Sequence, residues 1–212
     1  MTETAIDISG YGYEDGDLNP SHDYLVPSVL EILGSLDIVQ NQKRIFELGC
    51  GNGAVADVLT RQGYQLTGVD VSVQGVEQAQ RRHPHLSLQL GSAYDRLADT
   101  YGRFPVVISL EVVEHLYDPR AFARTLFDLV EPSGTAIVST PYHGYWKNLA
   151  MALTGRLDHH FTALWDHGHI KFWSIVTLKQ LLQEAGFRSI AFRRVGRMPA
   201  LAKSMIAIAT KL

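Results

Sequence analysis

The chain has 212 residues, 46% of them apolar and 19% charged, with a formal net charge of -3. That length suits one domain whose core buries about 70% of the unfolded surface, and the charge leaves no basic footprint for nucleic acid. The single cysteine, Cys50, excludes an internal disulfide framework and zinc-finger spacing. No apolar run is long enough to span a bilayer, and the opening MTETAIDISG has neither the basic nor the apolar region of a secretory leader, so a cytoplasmic location is expected.

Residues 1–23 are rich in Gly, Asp, Asn and Tyr (GYGYEDGDLNPSHD) and read as a lid without regular structure. Apolar positions at helical spacing predict a first helix over 24–36. From there strands and helices alternate. Strands are expected at 43–49, 64–71, 86–91, 104–111 and 134–141, and helices at 53–62, 73–83 and from Pro119 to about Leu129, with Asp118 as N-cap. The rhythm breaks after Pro141. Residues 142–173 hold five of the nine histidines and all three tryptophans. Trp146, Leu149, Ala150, Leu153 and Leu157 fall on one helical face, and His159, His160, His167 and His169 gather near Trp165. A helix at 174–185 closes on Gly186. Two strands near 188–195 and 203–210 follow with only Gly-Arg-Met-Pro between them, which predicts antiparallel pairing. Alternating strands and helices imply an α/β fold: a doubly wound, Rossmann-like sheet with helices on both faces.

In the first strand-to-helix turn stands ELGCGNG, residues 47–53. Such a turn marks the switch point where ligands bind, and its glycines let a backbone approach a ligand closely. Gly49-x-Gly51-x-x-Ala54 satisfies a dinucleotide fingerprint, so an NAD(P)-dependent oxidoreductase is one reading. Against it, none of the nine tyrosines has a Lys four residues later, and the chain has little room for a separate catalytic domain.

ELGCGNG, with VDVS at 69–72, resembles motifs I and II of the class I S-adenosylmethionine-dependent methyltransferases. GSAYD (91–95) stands where that family places its adenine loop. SLEVVEHLYDP (109–119) and WSIVTLKQLLQEAGF (173–187) resemble the branch containing ubiquinone-biosynthesis O-methyltransferases. The resemblance implies seven strands with the last antiparallel, a single methyltransferase domain over 1–212, and 142–172 as a substrate-lid insertion. It implies S-adenosylmethionine as cofactor, S-adenosylhomocysteine as product, and a small-molecule acceptor methylated at a hydroxyl. By the same resemblance Glu47 holds the amino-acid end of the cofactor, and Gly49, Cys50, Gly51 and Gly53 line it. Asp70 holds the ribose diol, and Val71 packs on the adenine. Ser92 and Ala93 meet the adenine edge, with Ser92 in place of a more usual acid. Leu110 and Glu111 lie below the sulfonium. Cys50 is expected to fill a small space beneath the loop, not to act as a nucleophile.

Glu111, Glu114 and His115 form an E-x-x-E-H spacing. His115 is the candidate general base, with Glu114 beside it. In the relatives a matching trio is associated with a divalent metal, and two carboxylates would suit Mg²⁺. The same acids could instead serve the dipole of a helix start. The His/Trp-rich segment has four competing uses: a substrate lid, a zinc site, against which stand the lack of cysteines and of a recognised spacing, ordinary packing, or the contact of a homodimer. A non-catalytic module that keeps the fold is the remaining alternative.

Overall fold

The computed structural model describes residues 13, 17–37, 42–161, 163–165 and 167–212, with His159 described by its backbone alone. Residues 1–12 and 14–16 of the expected lid lie outside this set. In chain order the elements are α1 (His22–Ser35), β1 (Arg44–Leu48), α2 (Ala54–Arg61), β2 (Gln65–Asp70), α3 (Val73–Arg82), β3 (Ser87–Leu90), α4 (Leu97–Tyr101) and β4 (Phe104–Leu110). After a 3₁₀ turn at Val113–His115 come α5 (Pro119–Leu129), β5 (Val130–Pro141), α6 (Tyr145–Leu153), α7 (Leu157–Phe161), α8 (Ile175–Ala185), β6 (Ser189–Val195) and β7 (Ser204–Thr210).

The seven strands form one sheet in the order β3-β2-β1-β4-β5-β7-β6. The first five run parallel, and β7 is antiparallel to both β5 and β6. The reason is local. Parallel neighbours need a crossover helix, while β6 and β7 are joined by a loop too short for one.

Successive side chains of a strand face opposite ways, so each buried strand feeds two cores. Ile45, Leu66, Val106, Ile108 and Ile206 pack under α1, α2 and α3. Phe46, Leu48, Val69, Val107, Ala136 and Ala207 pack under α4, α5 and α8. The helices that cover the second face are cut to length by their ends. Asp118 accepts from the Ala121 amide at 2.9 Å, and Pro119 opens the first turn of α5. Ser174 and Thr177 form a reciprocal capping box on α8. Gly186 closes that helix in the left-handed region and sends Phe187 into the core.

Two expectations are corrected. The five-residue α4 is missed, since one turn leaves too few positions for a period. The apolar face of 146–157 is not one helix: α6 stops at Leu153, Gly155 turns the chain with φ +65°, and Leu157 opens α7. None of the residues of α6 is buried, and Trp146 and Leu153 are mostly exposed.

Candidate active site

The carboxyl ends of the parallel strands gather the site. β1 lies between β2 and β4, which puts its exit at the topological switch. The exit turn has Gly49, Gly51 and Gly53 at φ +91°, +51° and +77°, a run that residues with a Cβ adopt only under strain. The turn is stitched to β2. The amides of Gly49 and Cys50 donate to the Val69 carbonyl at 2.8 and 3.0 Å. Asp70 accepts from the Gly51 amide on Oδ2 at 2.9 Å and from the Ser72 amide on Oδ1 at 2.8 Å. Ser72, not Asp70, caps α3, because its hydroxyl accepts from the Gly75 amide. Asp70 therefore braces the turn while each oxygen keeps a second lone pair.

Glu47 is 2% exposed, and its Oε2 has no hydrogen-bond partner among the described residues. Burial, aided by the nearby Asp70 charge, pushes its pKa up from 4.5 to about 8. A charged strand end in water is thereby excluded. Cys50 is buried, and burial, then Glu47, then Asp70 raise its thiol well above the usual range, so no thiolate nucleophile forms there. Val71 is exposed beyond β2, and Leu110 is part of the core. At the end of β3, the Ser92 amide donates to Asp95 at 2.7 Å, and the Ser92 hydroxyl accepts from the Tyr94 amide. Ser92 thus serves its own turn, Ala93 is buried, and the exposed acid of this loop is Asp95.

Tyr13 was not singled out by the sequence reading, although it stands in the aromatic GYGYEDG stretch. Its ring lies against Gly51 and Gly75: a Cβ on Gly51 would collide with the Tyr13 hydroxyl, and one on Gly75 would come within 2.8 Å of the ring. Its carbonyl accepts from Gln74 Nε2 and Gln78 Nε2, each at 3.0 Å. Nearby, Asn52 Nδ2 donates to the Asp17 carbonyl, and Asp17 pairs with Arg82. These bonds lay residues 13 and 17 across the glycine turn.

The exit of β4 is built differently. Glu111 takes φ +56°, a conformation unusual for a residue with a side chain. Its amide donates to Ser139 Oγ at 3.0 Å, and that hydroxyl donates back to Glu111 Oε1 at 2.8 Å. Ser204 donates to Oε2 at 3.4 Å. The carboxylate is turned toward β5 and β7. Burial lifts its pKa to about 7, opposed by the Ser139 and Ser204 hydroxyls and by Lys147.

Among the described residues, the candidate ligand groups that lie together are those of Glu114, His115 and His169. The ligand atoms of Glu114, His115 and His169 all lie within 4.8 Å of one another, with His169 Nε2 4.0 Å from Glu114 Oε1. Glu114 is 1% exposed, and neither oxygen has a hydrogen-bond partner among the described residues. Burial and then the Glu111 charge raise its pKa well above the carboxylate range. The Nδ1 of His115 bonds the His167 carbonyl at 2.9 Å and the Gly168 carbonyl at 3.3 Å. Carbonyls only accept, so Nδ1 carries the hydrogen and Nε2 the lone pair. Burial lowers the His115 pKa, so this ring is neutral near pH 7.

The predicted histidine cluster divides. His169 stands beside Trp165 and His115, with ring centroids 5.5 and 4.9 Å away. His160 packs instead on His143 and Phe161. His167 contributes its carbonyl, presented by φ +61°. The His159 side chain and Asp166 lie outside the described residues.

A family model described as "Methyltransferase domain" matches residues 24–191. Among named relatives, a ubiquinone biosynthesis O-methyltransferase of Caulobacter sp. (strain K31) is 36% identical over 116 residues, covering 53% of this chain and 46% of that protein. One of Azorhizobium caulinodans is 35% identical over 153 residues, covering 68% of this chain and 58% of that protein. The chain thus spans about half the length of these relatives. Among solved structures, magnesium protoporphyrin IX methyltransferase from Synechocystis PCC 6803 superimposes with a TM-score of 0.68 at 18% identity, covering 97% of this chain and 91% of that one. The methyltransferase domain of bacterial CtHen1-C gives 0.65 at 24%, covering 88% and 96%. These two likenesses speak for the fold. No helix among the described residues is long and apolar enough to cross a membrane. With four-fifths of its length inside one family model and the seven-stranded sheet to match, the chain belongs to the methyltransferase domain family.

Proposed function

We propose that this protein moves the sulfonium methyl group of S-adenosylmethionine to a hydroxyl oxygen of a small molecule, in the cytoplasm. The observation that carries the oxygen assignment is the buried Glu114 beside His115, whose tautomer is set by the His167 carbonyl. A hydroxyl acceptor must lose a proton as its oxygen attacks, and a neutral imidazole with its lone pair on Nε2 can receive it. The similarity to ubiquinone biosynthesis O-methyltransferases points to a precursor of a quinone as acceptor.

The cofactor fits the residues present. The buried Glu47 Oε2, without a hydrogen-bond partner among the described residues, is the acceptor an ammonium group requires, and the ammonium N–H would supply its missing bond. Asp70 has lone pairs left for a ribose diol. When bound, the cofactor supplies an electrophilic methyl on a positive sulfur. The chain's work is then alignment. Gly49 to Gly53 bring main chain against the ligand, and Tyr13 lies over the turn. Segment 142–173 shields the far side from water. Such ordering supplies roughly 7–11 kcal/mol of a barrier.

The test is calorimetric titration with S-adenosylhomocysteine, followed by transfer of labelled methyl to catechols, phenols and hydroxylated quinone precursors. One-to-one micromolar binding with label on oxygen supports the reading. A folded, ligand-stripped chain that takes up no S-adenosylhomocysteine would sink it.

A further inference from the structure

We propose that Tyr13 is a cofactor-positioning residue, an inference that rests on the methyl-transfer reading: its ring walls the ribose side of the cofactor pocket, and α3 carries the groups that hold it there.

The three glycines of the turn leave room for different things. A Cβ on Gly49 would meet Val112, and one on Gly53 would meet Leu88 and Ala79, so packing accounts for both. A Cβ on Gly51 would meet Tyr13, whose hydroxyl and ring supply all three of the nearest atoms. Gly51 is buried beneath them. The far edge of the ring reaches Gly75 in α3, where a Cβ would come within 2.8 Å of it. Glycine inside a helix is unfavourable relative to alanine. At position 75 it is what lets an aromatic ring come so close.

The main chain of Tyr13 is held from the same helix. Its amide donates to Gln74 Oε1 at 3.3 Å, and its carbonyl accepts from Gln74 Nε2 and Gln78 Nε2 at 3.0 Å each. Positions 74 and 78 share one face of a helix, and a primary amide offers a donor and an acceptor together. One residue far from α3 in sequence is thus fixed by three bonds to its main chain and by a gap left for its side chain.

The place of the ring assigns its work. Asp70 ties the glycine turn to the start of α3, through the amides of Gly51 and Ser72. Tyr13 spans the same two pieces, from Gly51 to Gly75. Its ring therefore stands beside the carboxylate proposed to hold the ribose diol. A ring in that position keeps water from those bonds, which strengthens them, and adds a large contact area of its own.

The experiment uses the full chain. Release of S-adenosylhomocysteine is followed by stopped flow, and affinity is measured for it and, by displacement, for 5′-methylthioadenosine, which keeps the adenine and ribose and lacks the amino-acid end. Tyr13→Ala should weaken both ligands by the same factor, about tenfold, chiefly through faster release. Tyr13→Phe, which keeps the ring, should stay within about threefold of the parent. With S-adenosylmethionine as substrate, Tyr13→Ala should raise KM and leave kcat within about twofold, as loss of uniform binding does. Gln74→Ala with Gln78→Ala removes the hold and keeps the ring; it should shift release in the same direction by a smaller factor, and it decides the matter if Tyr13→Ala does not fold. Unchanged release in these variants overturns the proposal. So does a loss confined to S-adenosylhomocysteine, or a parent that binds S-adenosylhomocysteine and no 5′-methylthioadenosine, since either puts the binding at the amino-acid end. Tighter binding in Tyr13→Ala overturns it too, because the ring would then obstruct the cofactor. A folded parent that binds neither ligand removes the methyl-transfer reading itself.

Discussion

The two halves of the site are held by different means. Around the glycine turn, main chain does the holding. The Val69 carbonyl and the Asp70 carboxylate accept from the amides of residues 49–51, the Ser72 amide fixes Asp70 in turn, and Ile45 to Leu48 beneath are buried. Around segment 142–173, main-chain groups tie residues 167–171 to the turn after β4, while rings from pieces far apart in sequence pack around them, and α6 buries no residue at all. Leu164 is 98% exposed and Val176 74%. A binding end made of main chain is shared by every member of a fold that takes the same cofactor. An end made of side chains on an exposed scaffold can differ from protein to protein. On the proposed function, acceptor choice falls to the second half.

The largest expected effect tests whether proton handling sits wholly in the second half. His115→Ala should lower turnover by about 10²–10⁴-fold while leaving S-adenosylhomocysteine affinity unchanged. Equal loss of both, measured by steady-state kinetics and calorimetry, would make His115 structural and blur the division. Next, Asp70→Ala should weaken S-adenosylhomocysteine binding by about 1.5–3 kcal/mol, since a charged acceptor is lost and the Gly51 and Ser72 amides are left unpaired. Unchanged affinity would remove Asp70 from the cofactor's half.

A smaller effect is a pH slope. The folded-state pKa of Glu47 is raised, from 4.5 to about 8. Across that window the folded free chain keeps a proton that the unfolded chain has lost. Its stability is therefore greatest below about 4.5 and falls as pH rises through 8. Cofactor binding needs the ionised form, so affinity should rise between about pH 6 and 8, by up to about tenfold per unit, with proton release visible in calorimetry. Glu47→Gln should flatten both slopes; a slope that survives it belongs to another group. The smallest effect concerns scaffold exposure. Leu164→Ser should change thermal stability by no more than about 0.5 kcal/mol, whereas Leu182→Ala, fully buried under the sheet, should cost about 2–5 kcal/mol. A large loss at Leu164 would mean that something covers it.

The same division explains what could be read in advance. Strand and helix order, the antiparallel β7, the cap at Asp118, the helix end at Gly186 and the turn at Gly49 to Gly53 all come from neighbours in sequence, and periodicity or spacing reports neighbours. Tyr13 against Gly51 and His169 against Glu114 come from distant neighbours, and no spacing rule reports those. The direction of the Glu111 carboxylate was out of reach for a related reason. Its place in E-x-x-E-H is a statement about sequence, but its left-handed φ and the Ser139 and Ser204 hydroxyls decide where its carboxylate goes. The apolar face through Leu157 misled because Gly155 ends the regularity that a helical wheel assumes.

The attachment of residues 167–171 to the end of β4 is written in main-chain groups: the carbonyls of 167 and 168 hold the His115 ring, and the amides of 170 and 171 hold the Glu114 carbonyl. None of these bonds depends on which side chains Ile170 or Phe172 carry, and both are exposed. Mutation at these positions can accumulate and reshape the mouth of the site while the reactive groups stay registered. New acceptors become reachable by single steps that do not first dismantle the chemistry.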